Sequence, residues 1–334
     1  MLTSPLLIVA TGFGLSLLLS LGLVQFARRT GFAMDDPAQH TRRIHRAPTA
    51  RIGGLALLLA YGLALWWFLP AGMWQNQQVQ GLAVGTLLIT LLGVIDDVRS
   101  LSGRVKLVGE LLIISFVVIH FELLVPYANN PLGGILRFPP WFSAAISIIW
   151  ILGTTNTLNF IDGIDGLATS VAISFAIVVG VVALLFDQAA LAIILAALLG
   201  CCLGFLPVNW HRARSFLGDG GAMFLGFTIG TLSILSGAKL ATTLLVLGLP
   251  ILDILNTFWV RFRRGQSLFT ADNEHLHYRL IRKGLSTGQT VLVIAGISFG
   301  FGLLALANNT TFKVISLAVL LVVSQLLILW SQRR

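Results

Sequence analysis

Long apolar runs separated by short polar segments set the pattern of this chain. Runs that reach or approach the roughly 20 residues a helix needs to cross a bilayer cover 6–26, 52–70, 79–95, 107–125, 141–158, 167–186, 189–206, 221–236, 240–258, 290–307 and 312–330. The pattern therefore predicts an all-α, polytopic membrane bundle of about eleven spans. The run 221–236 is the shortest and is rich in glycine. The first run is followed by Arg28 and Arg29, with no cleavable leader pattern, so it reads as a retained helix.

Composition agrees with this pattern. Of 334 residues, 56% are hydrophobic and 10% charged, with a mean hydropathy of +0.90. Soluble domains carry about 25% charged residues, so a cytosolic enzyme, a disordered regulator and a disulfide-stapled secreted domain are excluded. Cys201 and Cys202 are adjacent within an apolar run and predict no disulfide framework.

The net charge of +9 loses its nucleic-acid meaning once the basic residues are placed. Nineteen of the 22 fall in 27–51, 96–106, 207–219, 259–289 and the C-terminal Arg333-Arg334. Only Arg137, Lys239 and Lys313 fall in the alternate loops. Basic residues are retained on the cytoplasmic side, which predicts an outside N-terminus, a cytoplasmic C-terminus and an odd number of spans. Acidic residues barely influence topology, yet nine of 13 fall in the loops on that same side: Asp35, Asp36, Asp96, Asp97, Asp162, Asp165, Asp219, Asp272 and Glu274. Function is expected on that face. The whole chain, 1–334, reads as one transmembrane domain with its site on loops 27–51, 96–106, 159–166, 207–220 and 259–289.

Four loops carry candidate chemistry. Asp96 and Asp97 end the third span, where adjacent carboxylates repel unless a cation or a proton relieves them, and Lys106 follows as a point charge for phosphate. Asn159, Asp162 and Asp165 are spaced by three, one face if helical, and their oxygens suit a hard cation. Asp219 lies among glycines at the start of the eighth span. It is either a plain cap or part of a phosphate-receiving helix N-terminus. Phe216, three residues earlier, could stack on a base or sugar, and the amide of Asn209 could read one. The largest loop holds Arg261, Arg263, Arg264, His275 and His277. These are residue types that bind phosphate and move protons, although an arginine cluster beside a span is also an ordinary anchor. Asp253 is a carboxylate within the ninth span and Glu110 one near the interface; such groups face a bundle interior or snorkel. Gly226 and Gly230 read as helix packing.

No Walker-type motif or mid-membrane string of charges is present. A secondary transporter would need internal repeats and broken helices meeting at mid-membrane, and the polar groups here gather at one face. The loops read instead as a membrane-embedded, Mg²⁺-dependent site for a phosphate-rich soluble substrate and an acceptor from the lipid phase.

From Asp36-Pro37 through Arg279-Leu280 the sequence resembles the polyprenyl-phosphate N-acetylhexosamine-1-phosphate transferases, most closely the branch using UDP-GlcNAc and undecaprenyl phosphate. The resemblance rests on Arg43-Ile-His45 with Pro48-Thr-Ala-Arg51-Ile-Gly-Gly54, Asp96-Asp97, Asn159-Phe-Ile-Asp162-Gly-Ile-Asp165-Gly, Phe216-Leu-Gly-Asp219 and Asp272-Asn-Glu-His275-Leu-His277, in the family's order. It implies Mg²⁺, with Mn²⁺ able to substitute, held by Asn159 and Asp219. Asp96 and Asp97 would act on the lipid phosphate or the metal, beside Lys106, and Asp162 and Asp165 would line the nucleotide-sugar pocket. Phe216 would stack on uracil and Asn209 read it. His275 and His277, with Arg261, Arg263 and Arg264, would contact the diphosphate or sugar, and His45 and Arg51 would join the substrate-binding set. A break near the ninth span would open a lipid groove, which Asp253 and Pro250 would border. The product would be undecaprenyl-diphospho-GlcNAc plus UMP, the first membrane step of a cell-envelope polysaccharide. The resemblance also implies a bacterial inner-membrane location, a homodimer and no nucleic-acid partner. Tyr278 departs from the family, which has a second consecutive histidine there; sugar choice is expected in that loop. UDP-MurNAc-pentapeptide or another UDP-2-acetamido sugar is the alternative donor.

Overall fold

The computed structural model describes residues 4–35, 49–130, 133–237, 240–265, 274–307 and 309–332. Each apolar run forms one helix: α1 (Pro5–Thr30), α2 (Gly53–Phe68), α3 (Gln77–Arg99), α4 (Gly103–His120), α5 (Pro140–Ile161), α6 (Leu167–Leu185), α7 (Ala189–Asn209), α8 (Gly218–Leu235), α9 (Leu240–Arg263), α11 (Thr287–Leu304) and α12 (Thr310–Gln332). A short α10 (Leu276–Arg282) and a 3-10 turn (Ala71–Gln75) complete the helical set.

Among the described residues, nine helices are long and apolar enough to cross a membrane. The eleven-span expectation exceeds this by two, for physical reasons. At 16 residues α2 is about 24 Å long, short of a hydrocarbon core of about 30 Å, and α4 carries Arg104, Lys106 and Glu110. Both begin at the polar end of the bundle.

The glycine-rich run becomes the centre of the bundle. Every residue of α8 from Gly220 to Ile234 is buried. Its small residues let neighbours approach to backbone contact. A Cβ on Gly93 of α3 would lie 2.6 Å from Gly220 Cα, one on Gly226 would lie 2.5 Å from Thr155 Cα of α5, and one on Gly230 would strike Thr154 Oγ1. The packing reading of Gly226 and Gly230 is therefore correct. Along α7, Gly200 and Gly204 abut the backbone oxygens of Val9 and Phe13 on α1 in the same way. Cys201 and Cys202 are buried and free.

Two small sheets qualify the all-α expectation. β1 (Met34–Asp35) pairs antiparallel with β2 (Thr49–Arg51), which pairs parallel with β5 (Ser215–Phe216), so Arg51 sits opposite Phe216. β3 (Tyr127–Asn129) and β4 (Ile135–Arg137) form a hairpin between α4 and α5 at the far end. Through Pro250 and Asp253, α9 runs without interruption to Arg263.

Candidate active site

The helix ends bearing the acidic loops meet at one end of the bundle. Lys106, in the first turn of α4, joins three other helices. Its Nζ lies 2.6 Å from Asp219 Oδ1 on α8, 3.0 Å from Asp96 Oδ2 on α3 and 3.3 Å from Asn159 Oδ1 on α5. Asn159 Nδ2 donates to the same Asp219 oxygen at 2.6 Å. One ammonium thus stands among hard oxygen donors, the set that gathers around a cation.

The neighbouring carboxylates 96 and 97, read as a repelling pair, are separated by their partners. Asp96 Oδ1 accepts the Leu101 N–H at 2.7 Å while its other oxygen faces Lys106. Asp97 turns to α8 and accepts the N–H of Asp219 and of Gly220, each at 3.0 Å. This corrects the expectation that the N-terminus of α8 offers free N–H groups to phosphate: Asp97, from another helix, already takes two of them. The approach needs glycine at 218, where φ is +74° and a Cβ would lie 2.7 Å from Asp97 Oδ2. Arg51 Nη1, from β2, lies 3.9 Å from Asp97 Oδ1.

The spacing of Asn159, Asp162 and Asp165 suggested one helical face, but α5 ends at Ile161 and α6 starts at Leu167. The two aspartates therefore sit in a turn and part company. Asp165 Oδ2 accepts the Ala213 N–H at 3.2 Å, tying the turn to the segment before β5. Burial, with the Asp219, Asp97 and Asp165 carboxylates nearby, holds the Asp162 carboxyl well above the ordinary carboxylate range, opposed by Arg51.

Asn209 takes a different task from reading a base. It is 2% exposed; its Oδ1 accepts from Gly166 N–H and Thr169 Oγ1, and its Nδ2 donates to the Ser215 carbonyl. It fastens the 159–166 turn to β5. Phe216 remains half-buried on β5 beside Arg51.

The histidine loop docks on the same turn through α10. Asp253 of α9 accepts the Leu276 N–H at 2.9 Å and pairs with His275 Nδ1 at 3.1 Å, capping α10 and orienting the ring. Asp253 is thus a buried pairing carboxylate, as expected for an intramembrane acid. His277 stacks on His275 with rings 4° apart in tilt and 5.8 Å between centroids. Tyr278 donates its hydroxyl to the Gly163 carbonyl at 3.0 Å. A Cβ at Gly163 would strike His277 Nε2 and lie 2.8 Å from Tyr278 Oη.

Burial, with the neighbouring His275, lowers the His277 pKa to about 3 from its ordinary 6.5. The unfolded chain takes up a proton near pH 6.5 while the folded chain resists until about pH 3. The stability His277 contributes is therefore present above pH 6.5 and lost as pH falls across that window. Thermal unfolding of the chain should show this acid loss, and His277→Gln should flatten it.

Of the arginines, Arg261 is buried, Arg263 lies over the Trp259 ring at 5.7 Å, and Arg264 faces a cavity that none of Lys106, Asn159 and Asp219 lines. His45 and Asp272 lie outside the described residues. Glu110 differs from the snorkelling expected of it. It is fully buried and accepts a 2.6 Å bond from Asn156 Nδ2, one turn from Asn159. Its spacing of four from Lys106 was the available signal.

The family model described as glycosyl transferase family 4 matches residues 79–237, which contain every member of the Lys106 cluster. A probable undecaprenyl-phosphate N-acetylglucosaminyl 1-phosphate transferase of Bacillus subtilis is 29% identical over 96% of this chain and 91% of its own. A decaprenyl-phosphate N-acetylglucosaminephosphotransferase of Mycobacterium leprae is 33% identical, covering 76% and 71%. A phospho-N-acetylmuramoyl-pentapeptide-transferase of Desulforudis audaxviator is 28% identical, covering 91% and 98%. With the acidic loops gathered at one end of a polytopic bundle, these matches establish that the chain belongs to glycosyl transferase family 4, the polyprenyl-phosphate N-acetylhexosamine-1-phosphate transferases.

Proposed function

We propose that the chain transfers GlcNAc-1-phosphate from UDP-GlcNAc to undecaprenyl phosphate, giving undecaprenyl-diphospho-GlcNAc and UMP. The observation that carries this reading is the convergence of Asp96, Lys106, Asn159 and Asp219 from four helices at the polar end. The activities for which the Bacillus and Mycobacterium relatives are named favour this donor and lipid class. The Desulforudis relative favours UDP-MurNAc-pentapeptide as the second reading.

An oxygen of the lipid phosphate attacks the β-phosphorus of the donor. The new O–P bond forms as the bond from that phosphorus to the bridging oxygen breaks, and the bridging oxygen leaves on UMP. Two phosphates must approach each other, so positioning and charge screening supply most of the catalysis. Lys106 and Arg51 provide fixed positive charge at the cluster. Asp219 and Asn159 would hold Mg²⁺; two protein oxygens suffice for an ion whose shell substrate phosphates complete. When bound, that ion would neutralise phosphoryl oxygens during transfer. Phe216 would stack on the uracil, and His275 and His277, held by Asp253 and the Gly163 turn, would face the diphosphate.

Asp162 is the carboxylate suited to take a proton from a lipid phosphate monoanion. Its affinity for protons is raised, so activity should rise with pH above the ordinary carboxylate range, and Asp162→Asn should remove that limb from the kcat/KM profile. The basic loops would face the cytoplasm from a bacterial inner membrane.

The reaction exchanges one diphosphate for another, so it should run backwards. Purified protein given lipid-linked GlcNAc diphosphate and UMP should release UDP-GlcNAc. No release at any UMP concentration would refute direct transfer.

A further inference from the structure

Helix α10 presents different chemistry on its two sides. His277 and Tyr278 meet Gly163, whereas Arg279 lines a partly open cavity of about 580 Å³ bordered by the C-terminal ends of α9 and α12. Among the described residues Arg264, Arg279, Arg282 and Lys283 line it against the carboxylate of Glu274, with Ser331 and Gln332 as further polar groups. Arg279 is 5% exposed, and its Nε and Nη1 have no hydrogen-bond partner. Among the described residues its acidic neighbour is Glu274, whose Oε2 is 3.7 Å from Nη2 and half exposed. A guanidinium withdrawn from water with donors unmet is costly. Oxygens of a phosphate would satisfy it.

The rim has the side-chain composition of a membrane boundary. Trp259, Phe262 and Trp330 are exposed near the same helix ends, and the Lys283 ammonium lies 5.5 Å from the Trp330 ring. Aromatic and basic side chains of this kind sit at headgroup level, and basic pockets there take lipid phosphates.

We propose that this cavity is a second anion site, separate from the transfer centre, which binds a phosphate group from either a bilayer lipid headgroup or free phosphate. An occupied cavity would brace α10 from behind and so hold His277 against the Gly163 turn.

The test is thermal unfolding of the full chain in neutral detergent at constant ionic strength, titrated with phosphatidylglycerol, phosphatidylcholine or inorganic phosphate. Phosphatidylglycerol or inorganic phosphate should raise the midpoint by about 4 °C at saturation, and phosphatidylcholine should not. A response to phosphatidylglycerol alone identifies a headgroup, and a response to inorganic phosphate identifies free phosphate. Losing a charged hydrogen-bond donor should raise the half-saturating concentration at least ~10-fold in Arg279→Gln. Arg282→Gln should raise it several-fold, and it carries the test if the first variant does not fold. Ligand-free Arg279→Gln should unfold no lower than the wild type, because an unsatisfied buried charge is gone; a purely structural arginine would give a lower midpoint. Absence of any shift, equal responses in the variants, or competition by UDP-GlcNAc would overturn the proposal. None of these readings depends on transferase activity.

Discussion

Asp219→Asn is expected to lower turnover by roughly 10³-fold or more while leaving the chain folded, because a group acting on transition-state charge is worth several kcal/mol. Asp219 Oδ1 receives both the Lys106 ammonium at 2.6 Å and the Asn159 amide at 2.6 Å. An asparagine oxygen can still accept both bonds, so packing at the start of α8 survives. What disappears is the negative charge that would hold Mg²⁺ beside the donor diphosphate. Raising Mg²⁺ should recover part of the loss if metal affinity is the main deficit. Arg137→Gln, in the hairpin at the opposite end, should leave activity unchanged. Initial rates and melting midpoints of the three proteins check this directly. An Asp219→Asn enzyme with near-normal turnover would remove Asp219 from the mechanism.

Asp97→Asn should damage both stability and activity. Asp97 is buried, and its two oxygens accept the N–H groups of Asp219 and Gly220 at 3.0 Å each. Asparagine keeps one acceptor and turns an amide NH₂ toward the second N–H, where donor meets donor. Hydrogen bonds to charged groups are worth about 1.5–3 kcal/mol, so the variant should lose about 2–4 kcal/mol of stability. Because α8 starts with this cap, displacement of its first turn also moves Asp219 away from Lys106. Turnover should fall about 100-fold even at temperatures where the variant remains folded. Asp97→Glu should do no better, since Gly218 already lies against the Asp97 carboxylate and leaves no room for another methylene. A variant that unfolds earlier but turns over normally when folded would limit Asp97 to a structural role.

The helices and the membrane class were legible because each depends on a local property, the length of an apolar run. The gathering of the acidic loops at one end was legible for a related reason: charge placement alternates with each crossing. Partner choice was not. Adjacent carboxylates at 96 and 97 look alike in sequence, yet one faces a lysine on α4 and the other the first amides of α8. That division follows from tertiary packing between α3 and α8, whose glycines permit backbone contact. The three-residue spacing of Asn159, Asp162 and Asp165 misled for a local reason, since the helix stops at Ile161 before the period is completed. Asn209 resembled a ligand-reading amide because two of its three internal bonds come from residues 40 or more positions away. Glu110 resembled a snorkelling acid because its partner, Asn156, comes from α5.

Transfer of label from donor to lipid by the purified chain is the most direct test. The protein, Mg²⁺ and undecaprenyl phosphate would be given UDP-GlcNAc, UDP-GalNAc or UDP-MurNAc-pentapeptide, each labelled in the sugar, with no ion gradient present. Label should enter the lipid phase from UDP-GlcNAc with one UMP released per transfer, and Asp219→Asn should slow it by roughly 10³-fold or more. Transfer from UDP-MurNAc-pentapeptide alone would contradict the assigned donor and direct attention to the Tyr278 contact with Gly163. No transfer from any donor would contradict the proposed activity itself.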